Sequence, residues 1–100
     1  EEPTYYASGS KVNTSQFASG SIIEGEVIKS VISRNVQIHK NSLVKESLIF
    51  PRVVVGEGAQ VEYAIVDKGA EIAEGVVVRG TAENPVVIKK GEKVTEDILS

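Results

Sequence analysis

V-I-K-S-V-I (27–32), V-K-E-S-L-I (44–49) and V-E-Y-A-I-V (61–66) are one pattern written three times, each copy starting seventeen positions after the last. Between them I-H-K-N-S-L (38–43), V-G-E-G-A-Q (55–60) and I-A-E-G-V-V (72–77) recur at the same interval. Branched aliphatics fall at Val27, Ile32, Ile38, Val44, Ile49, Val55, Val61, Val66, Ile72 and Val78, so the spacing runs five, six, six and is repeated three times. From Ile32 onward, the residue two positions earlier is always small or β-branched: Ser30, Val36, Ser42, Ser47, Val53, Ala59, Ala64, Ala70 and Val76. Val and Ile dominate, and glycines recur at Gly56, Gly58, Gly69 and Gly75, which argues against helix.

Each gap has the length of one short strand and one corner, so three gaps bring the chain back above its own start. Residues i and i−2 share a face of a strand. The large aliphatics are therefore expected in the interior corners and the small residues inside on the flat sides. The fold expected is all-β: a single-stranded parallel β-helix of the hexapeptide type, about four coils with a 17-residue period. Coils of this kind stack ~4.8 Å apart through parallel ladders. The rival is a β-sandwich with regular hairpins, which has no need of a strict register held three times. Spacing does not encode handedness; the left-handed form is taken from the families that use this hexapeptide.

One hundred residues make one domain. Aromatics are 5% and tryptophan is absent, which suits an interior too narrow for many rings. A net charge of −3 without a basic run argues against nucleic acid as a partner. The chain has no cysteine, hence no disulfide, thiolate metal site or thiol nucleophile. No apolar run approaches the ~18 residues that cross a membrane, and no signal peptide is visible. The expectation is a soluble cytoplasmic protein without a membrane partner. A start at Glu1 instead of Met suggests a piece of something longer.

Residues 1–11 read as a linker from a missing N-terminal domain, with Pro3 and Gly9 and no periodicity. Tyr5 and Tyr6 either pin it to a neighbouring surface or cover the first coil. The β-helix is expected over 12–78. Its first coil is two positions shorter than the others, because Val27 follows Ile23 by only four. Phe17 takes an aliphatic position there, Ser15 and Ser21 take small ones, and Gly25 allows the tight corner. Pro51 belongs at a turn, since proline cannot donate to a ladder. Past Val78 the register stops: 79–100 is expected to be a loop and a strand that caps the open end. The end near Val12 is expected to be sticky if a domain is missing there.

Catalytic groups are few. His39, the one histidine, follows Ile38 and should point outward at a turn. Hexapeptide acyltransferases use such a histidine as general base, and the other reading is a solvated turn residue. One histidine and no cysteine leave no metal constellation. G-E-G (56–58) lacks the lysine and helix of a phosphate loop and reads as a corner. Ser30, Ser42 and Ser47 are interior, their hydroxyls bonding neighbouring backbone or one another.

E-P-T-Y-Y (2–6), V-N-T-S-Q-F-A-S-G-S-I-I-E-G-E-V-I-K-S-V-I (12–32), A-I-V-D-K-G-A-E-I (64–72) and G-T-A-E-N-P-V-V-I-K-K-G (80–91) together resemble the C-terminal β-helix domain of bacterial glucose-1-phosphate adenylyltransferase (ADP-glucose pyrophosphorylase). The ending and the relaxed repeats are similar to its regulatory-type, non-catalytic subunit. The resemblance implies a parent that makes ADP-glucose and pyrophosphate from ATP and glucose 1-phosphate for glycogen synthesis. Its Mg²⁺ and ATP are held by an N-terminal domain carrying G-G-x-G-T-R-L, so no cofactor is expected in these residues and no activity from them alone. It also implies packing on that catalytic-type domain and assembly with a catalytic sister subunit into a hetero- or homotetramer. An anionic sugar-phosphate effector would be bound by Lys68, after Asp67, and by Lys89, beside Lys90. Lysines supply point-charge contacts to phosphate, although exposed lysines are also ordinary solubilising residues. Two rivals remain: a trimeric acyltransferase domain with His39 as base, and the β-helix of another sugar-nucleotide pyrophosphorylase.

Overall fold

The computed structural model describes strands at Tyr5–Tyr6, Lys11–Asn13 and Gln16–Phe17 and every residue from 20 to 100. Among the described residues there is no helix, and all strand pairing is parallel. Three sheets form the sides of a solenoid of about five turns, consistent with the left-handed β-helix expected. Sheet A stacks Tyr5–Tyr6, Ile22–Ile23, Gln37–Ile38, Val54–Val55, Glu71–Ile72 and Lys93–Val94. Sheet B stacks Lys11–Asn13, Glu26–Ile28, Leu43–Lys45, Gln60–Glu62, Val77–Arg79 and Ile98–Leu99. Sheet C stacks Gln16–Phe17, Val31–Ile32, Leu48–Ile49, Ala64–Val66 and Val86–Ile88.

All ten aliphatics of the repeating register are buried, and so are all nine residues of the small register. Their places differ from the expectation. Ile32, Ile38, Val44, Ile49 and Val55 lie within strands, on the flat sides, whereas Ser30, Val36, Ser42, Ser47 and Val53 lie just outside strands, beside the corners. The physical reason is the residue before each small one. Gly20, Lys29, Asn35, Asn41, Glu46, Arg52, Gly58, Tyr63, Gly69 and Gly75 all have positive φ, between 47° and 82°. A left-handed residue reverses the strand direction, and the small side chain that follows fits the crowded inner angle. The longer sides turn through two residues; Ala59 N–H donates to Gly56 O at 3.1 Å across one such turn. The shorter sides bend at a single left-handed residue, Lys29, Glu46 or Tyr63.

That single-residue bend leaves no local acceptor for the amide that follows it. Buried serines supply one from the coil alongside. Ser30 Oγ accepts from Ser47 N–H and Ser47 Oγ accepts from Ala64 N–H, both at 3.1 Å. Ser21 Oγ likewise accepts from Val36 N–H at 3.1 Å, there after the two-residue turn Arg34–Asn35. Hydroxyl-to-backbone bonding is thus the form taken by the interior serines. The shortened coil is present: Val12 pairs with Val27 and Phe17 with Ile32, an offset two smaller than that between Val27 and Val44. At its tight corner a Cβ on Gly25 would overlap Ser42 Oγ and the His39 carbonyl oxygen. Ser15 and the side chain of Phe17 lie outside the described residues.

Two segments depart from the expected organisation. Tyr5–Tyr6 pairs with Ile22–Ile23, so part of the expected linker adds a strand to sheet A. Residues 79–100 do not fold back as a cap but complete another coil. Ala64 pairs with Val86, Ile72 with Val94 and Val78 with Ile98, all in parallel. The pairing offset widens between Val61↔Val78 and Ala64↔Val86 because the corner after Arg79 carries an insertion, and it narrows again by Val78↔Ile98.

Candidate functional site

The corner between sheets C and A stacks four turns: Arg34 with Asn35, Pro51 with Arg52, Lys68 with Gly69, and Lys90 with Gly91. Their own backbones tie them together. Arg52 N–H donates to Arg34 O at 3.2 Å, Gly69 N–H to Pro51 O at 3.0 Å, and Gly91 N–H to Lys68 O at 2.9 Å. Pro51, which has no N–H, contributes its carbonyl oxygen to this ladder. Lys89, immediately after Val86–Ile88, adds a fifth cation, so Arg34, Arg52, Lys68, Lys89 and Lys90 line one edge, all exposed.

The nearby carboxylates face the backbone instead. Asp67 Oδ1 accepts from Lys68 N–H at 2.7 Å, and Glu92 Oε1 accepts from Lys89 N–H at 2.9 Å. Among the described residues the ion pairs are His39–Glu24 and Arg79–Glu62, and neither involves this edge. Cations on neighbouring rungs ~5 Å apart repel by about 0.8 kcal/mol at the dielectric of water. An anion seated between them converts that repulsion into attraction.

Lys68 and Lys89, each expected to contact an effector, lie on this one edge on successive rungs. Arg34 and Arg52 were not singled out from sequence. Their signal was available in the period: one repeat back from Lys68 and Gly69 stand Pro51 and Arg52, and two repeats back stand Arg34 and Asn35.

The next corner, between sheets A and B, has the opposite sign. It carries Glu24, Glu57, Glu74, Glu96 and Asp97, interrupted by His39 and Lys40. His39 starts its turn with a side chain 42% exposed and Nδ1 3.8 Å from Glu24 Oε1. A shallow depression of about 340 Å³ lies beside it, lined by His39, Glu57, Glu71, Glu74 and Lys93 among others. The described residues contain no cluster of His, Asp or Glu able to hold a metal ion, and no helix long and apolar enough to cross a membrane.

A family model described as GlmU-like, C-terminal hexapeptide matches residues 5–97. Curated relatives include the glucose-1-phosphate adenylyltransferases of Bacillus anthracis and Bacillus mycoides, each 32% identical over 94 residues, which is 92% of this chain and 25% of theirs. That of Bacillus cytotoxicus is 34% identical over 99 residues, or 99% of this chain and 23% of the relative. The chain thus spans about a quarter of the length of the curated relatives it matches. Among solved structures, PerB from Caulobacter crescentus in complex with CoA and GDP-perosamine is 16% identical, with a TM-score of 0.39 over 97% of this chain and 48% of that one. At that score the likeness carries no argument about function.

Proposed function

The chain belongs to the GlmU-like, C-terminal hexapeptide family, and on that premise we propose that it is the regulatory and assembly β-helix of a glucose-1-phosphate adenylyltransferase subunit. Support for the parent comes from the relatives of that name, similar over nearly the whole chain. The regulatory role rests on one observation: five exposed cations on one edge, none paired with a described carboxylate. The proposed ligand is an anionic sugar phosphate held by Lys68 and Lys89 on adjacent rungs. The subunit is proposed to be of the regulatory type, working with a catalytic sister subunit in a tetramer in the cytoplasm. The parent reaction, ATP and glucose 1-phosphate to ADP-glucose and pyrophosphate, is placed in the remainder of a longer polypeptide. No step through Mg²⁺ or ATP is assigned to the residues described.

The test is the effector curve of the assembled enzyme. Lys68→Ala and Lys89→Ala each remove one charge-assisted contact and should raise the half-maximal effector concentration about tenfold, equivalent to ~1.4 kcal/mol. An unchanged curve removes the residue from the site. A second reading, an acyltransferase domain with His39 as base, has the Glu24 contact in its favour. It requires a stable trimer, which light scattering over a concentration series distinguishes from a monomer or dimer.

A further inference from the structure

The basic edge is longer than the ligand proposed for it. Arg34, Arg52, Lys68 and Lys90 stand on four successive turns, with Lys89 beside the last. Three rung intervals of ~4.8 Å make that row ~14 Å long. A sugar phosphate held by Lys68 and Lys89 occupies the last two turns and leaves Arg34 and Arg52 unused. Both arginines are exposed, and neither forms an ion pair among the described residues. Arg52 is also kept where the backbone favours glycine. Its φ is 63°, and the same place in the next two turns is held by Gly69 and Gly91.

The surroundings of the row select the shape of its ligand. On one flank sheet C presents Val31, Leu48, Ile65 and Val87, which carry no charge. On the other flank Glu71 stands beside its cross-strand partner Lys93. Glu57 and Glu74 mark the next corner, about five residues away. At ~3.3 Å per residue that is ~16 Å, about twice the ~8 Å Debye length of physiological salt. A narrow anion on the row is screened from those carboxylates, whereas a broad one meets the chain's net charge of −3. Along the row, negative charge must recur at least once per rung. A linear polyphosphate meets both conditions: it is one chain wide, and every phosphorus carries a negative oxygen. Arginine grips such oxygens in pairs, and lysine adds a point charge.

We propose that the basic edge binds linear inorganic polyphosphate along its length, with Arg34 and Arg52 holding the part of the chain that extends beyond Lys68 and Lys89. The inference rests on the effector reading at the lysine end of the row and goes beyond it at the arginine end. Its test is calorimetric titration of the polypeptide at natural length with long-chain inorganic polyphosphate, and with a bisphosphorylated sugar as the short probe. Arg34→Ala and Arg52→Gly should each weaken polyphosphate about tenfold and leave the sugar unchanged. Glycine suits the turn at position 52, so a loss there is not a loss of fold. The slope of log affinity against log salt should shrink by about 0.7 for each arginine removed, as for a phosphate contact on a single strand. Polyphosphate that does not bind, or that binds both variants as it binds the parent, overturns the inference. So does equal weakening of the sugar, which makes the arginines part of the short site. Single-stranded DNA that binds as tightly as polyphosphate of equal charge overturns it too, in favour of a nucleic acid. A sugar response that survives Lys68→Ala and Lys89→Ala defeats the regulatory reading instead, and polyphosphate binding lost in Arg52→Gly still stands.

Discussion

Replacing Ser47 by alanine removes one hydroxyl from the centre of the solenoid. Ser47 is 3% exposed. Its Oγ donates to Lys45 O at 2.8 Å and accepts from Ala64 N–H at 3.1 Å. Lys45 O keeps a second donor, Tyr63 N–H at 3.0 Å, so the carbonyl stays satisfied in the variant. The Ala64 amide does not: it is left buried and unpaired, at a cost of about 1–3 kcal/mol. Ser42→Ala is the matched control. Ser42 is as buried, but its Oγ only donates, to His39 O at 2.6 Å, and its loss should cost at most ~1 kcal/mol. Urea unfolding followed by far-UV circular dichroism should place Ser47→Ala below Ser42→Ala by about 1 kcal/mol or more. Hydrogen exchange at the Ala64 amide should accelerate in Ser47→Ala alone. Equal midpoints with unchanged exchange at Ala64 would refute the idea that serines complete the ladder at one-residue bends.

Two further substitutions probe the same architecture. Val55→Asp puts an unpaired carboxylate at a position 0% exposed, and should destabilise by about 4 kcal/mol; a melting temperature equal to that of the parent would contradict the assigned interior. Arg52 has a φ of 63°, a conformation that costs a residue with a Cβ about 1 kcal/mol relative to glycine. Arg52→Gly should therefore be more stable than Arg52→Ala by about that amount in the same urea assay, and the reverse order would remove left-handed strain from the account of the corners.

The interior was legible because its chemistry is strict. A β-helix side admits only certain volumes, so Val27 through Val78 and the small register from Ser30 to Val76 announce themselves by spacing. The corners were less legible. Lys29, Glu46, Arg52 and Tyr63 adopt positive φ, but nothing in those side chains signals it, as glycine does at Gly58, Gly69 and Gly75. Without those left-handed residues in view, spacing alone puts the bend at the aliphatic instead of at the residue three before it. The final coil was hidden by arithmetic: an insertion between Arg79 and Val86 breaks a fixed count, although Val86, Ile88 and Val94 are buried like their predecessors. Lys68 and Lys89 came from family resemblance, which follows motifs along the chain. Arg34 and Arg52 belong to no such motif; only counting back by the seventeen-residue period sets their turns beside that of Lys68.

The most direct test of the account is hydrogen exchange with mass spectrometry on the polypeptide at natural length, with and without a bisphosphorylated sugar. The account predicts added protection confined to peptides covering residues 67–70 and 89–92, the two stacked turns that carry Lys68 and Lys89. That protection should vanish in the Lys68→Ala, Lys89→Ala double variant and weaken with added salt. Protection centred on His39 and the acidic corner, or protection that the double variant retains, would contradict it.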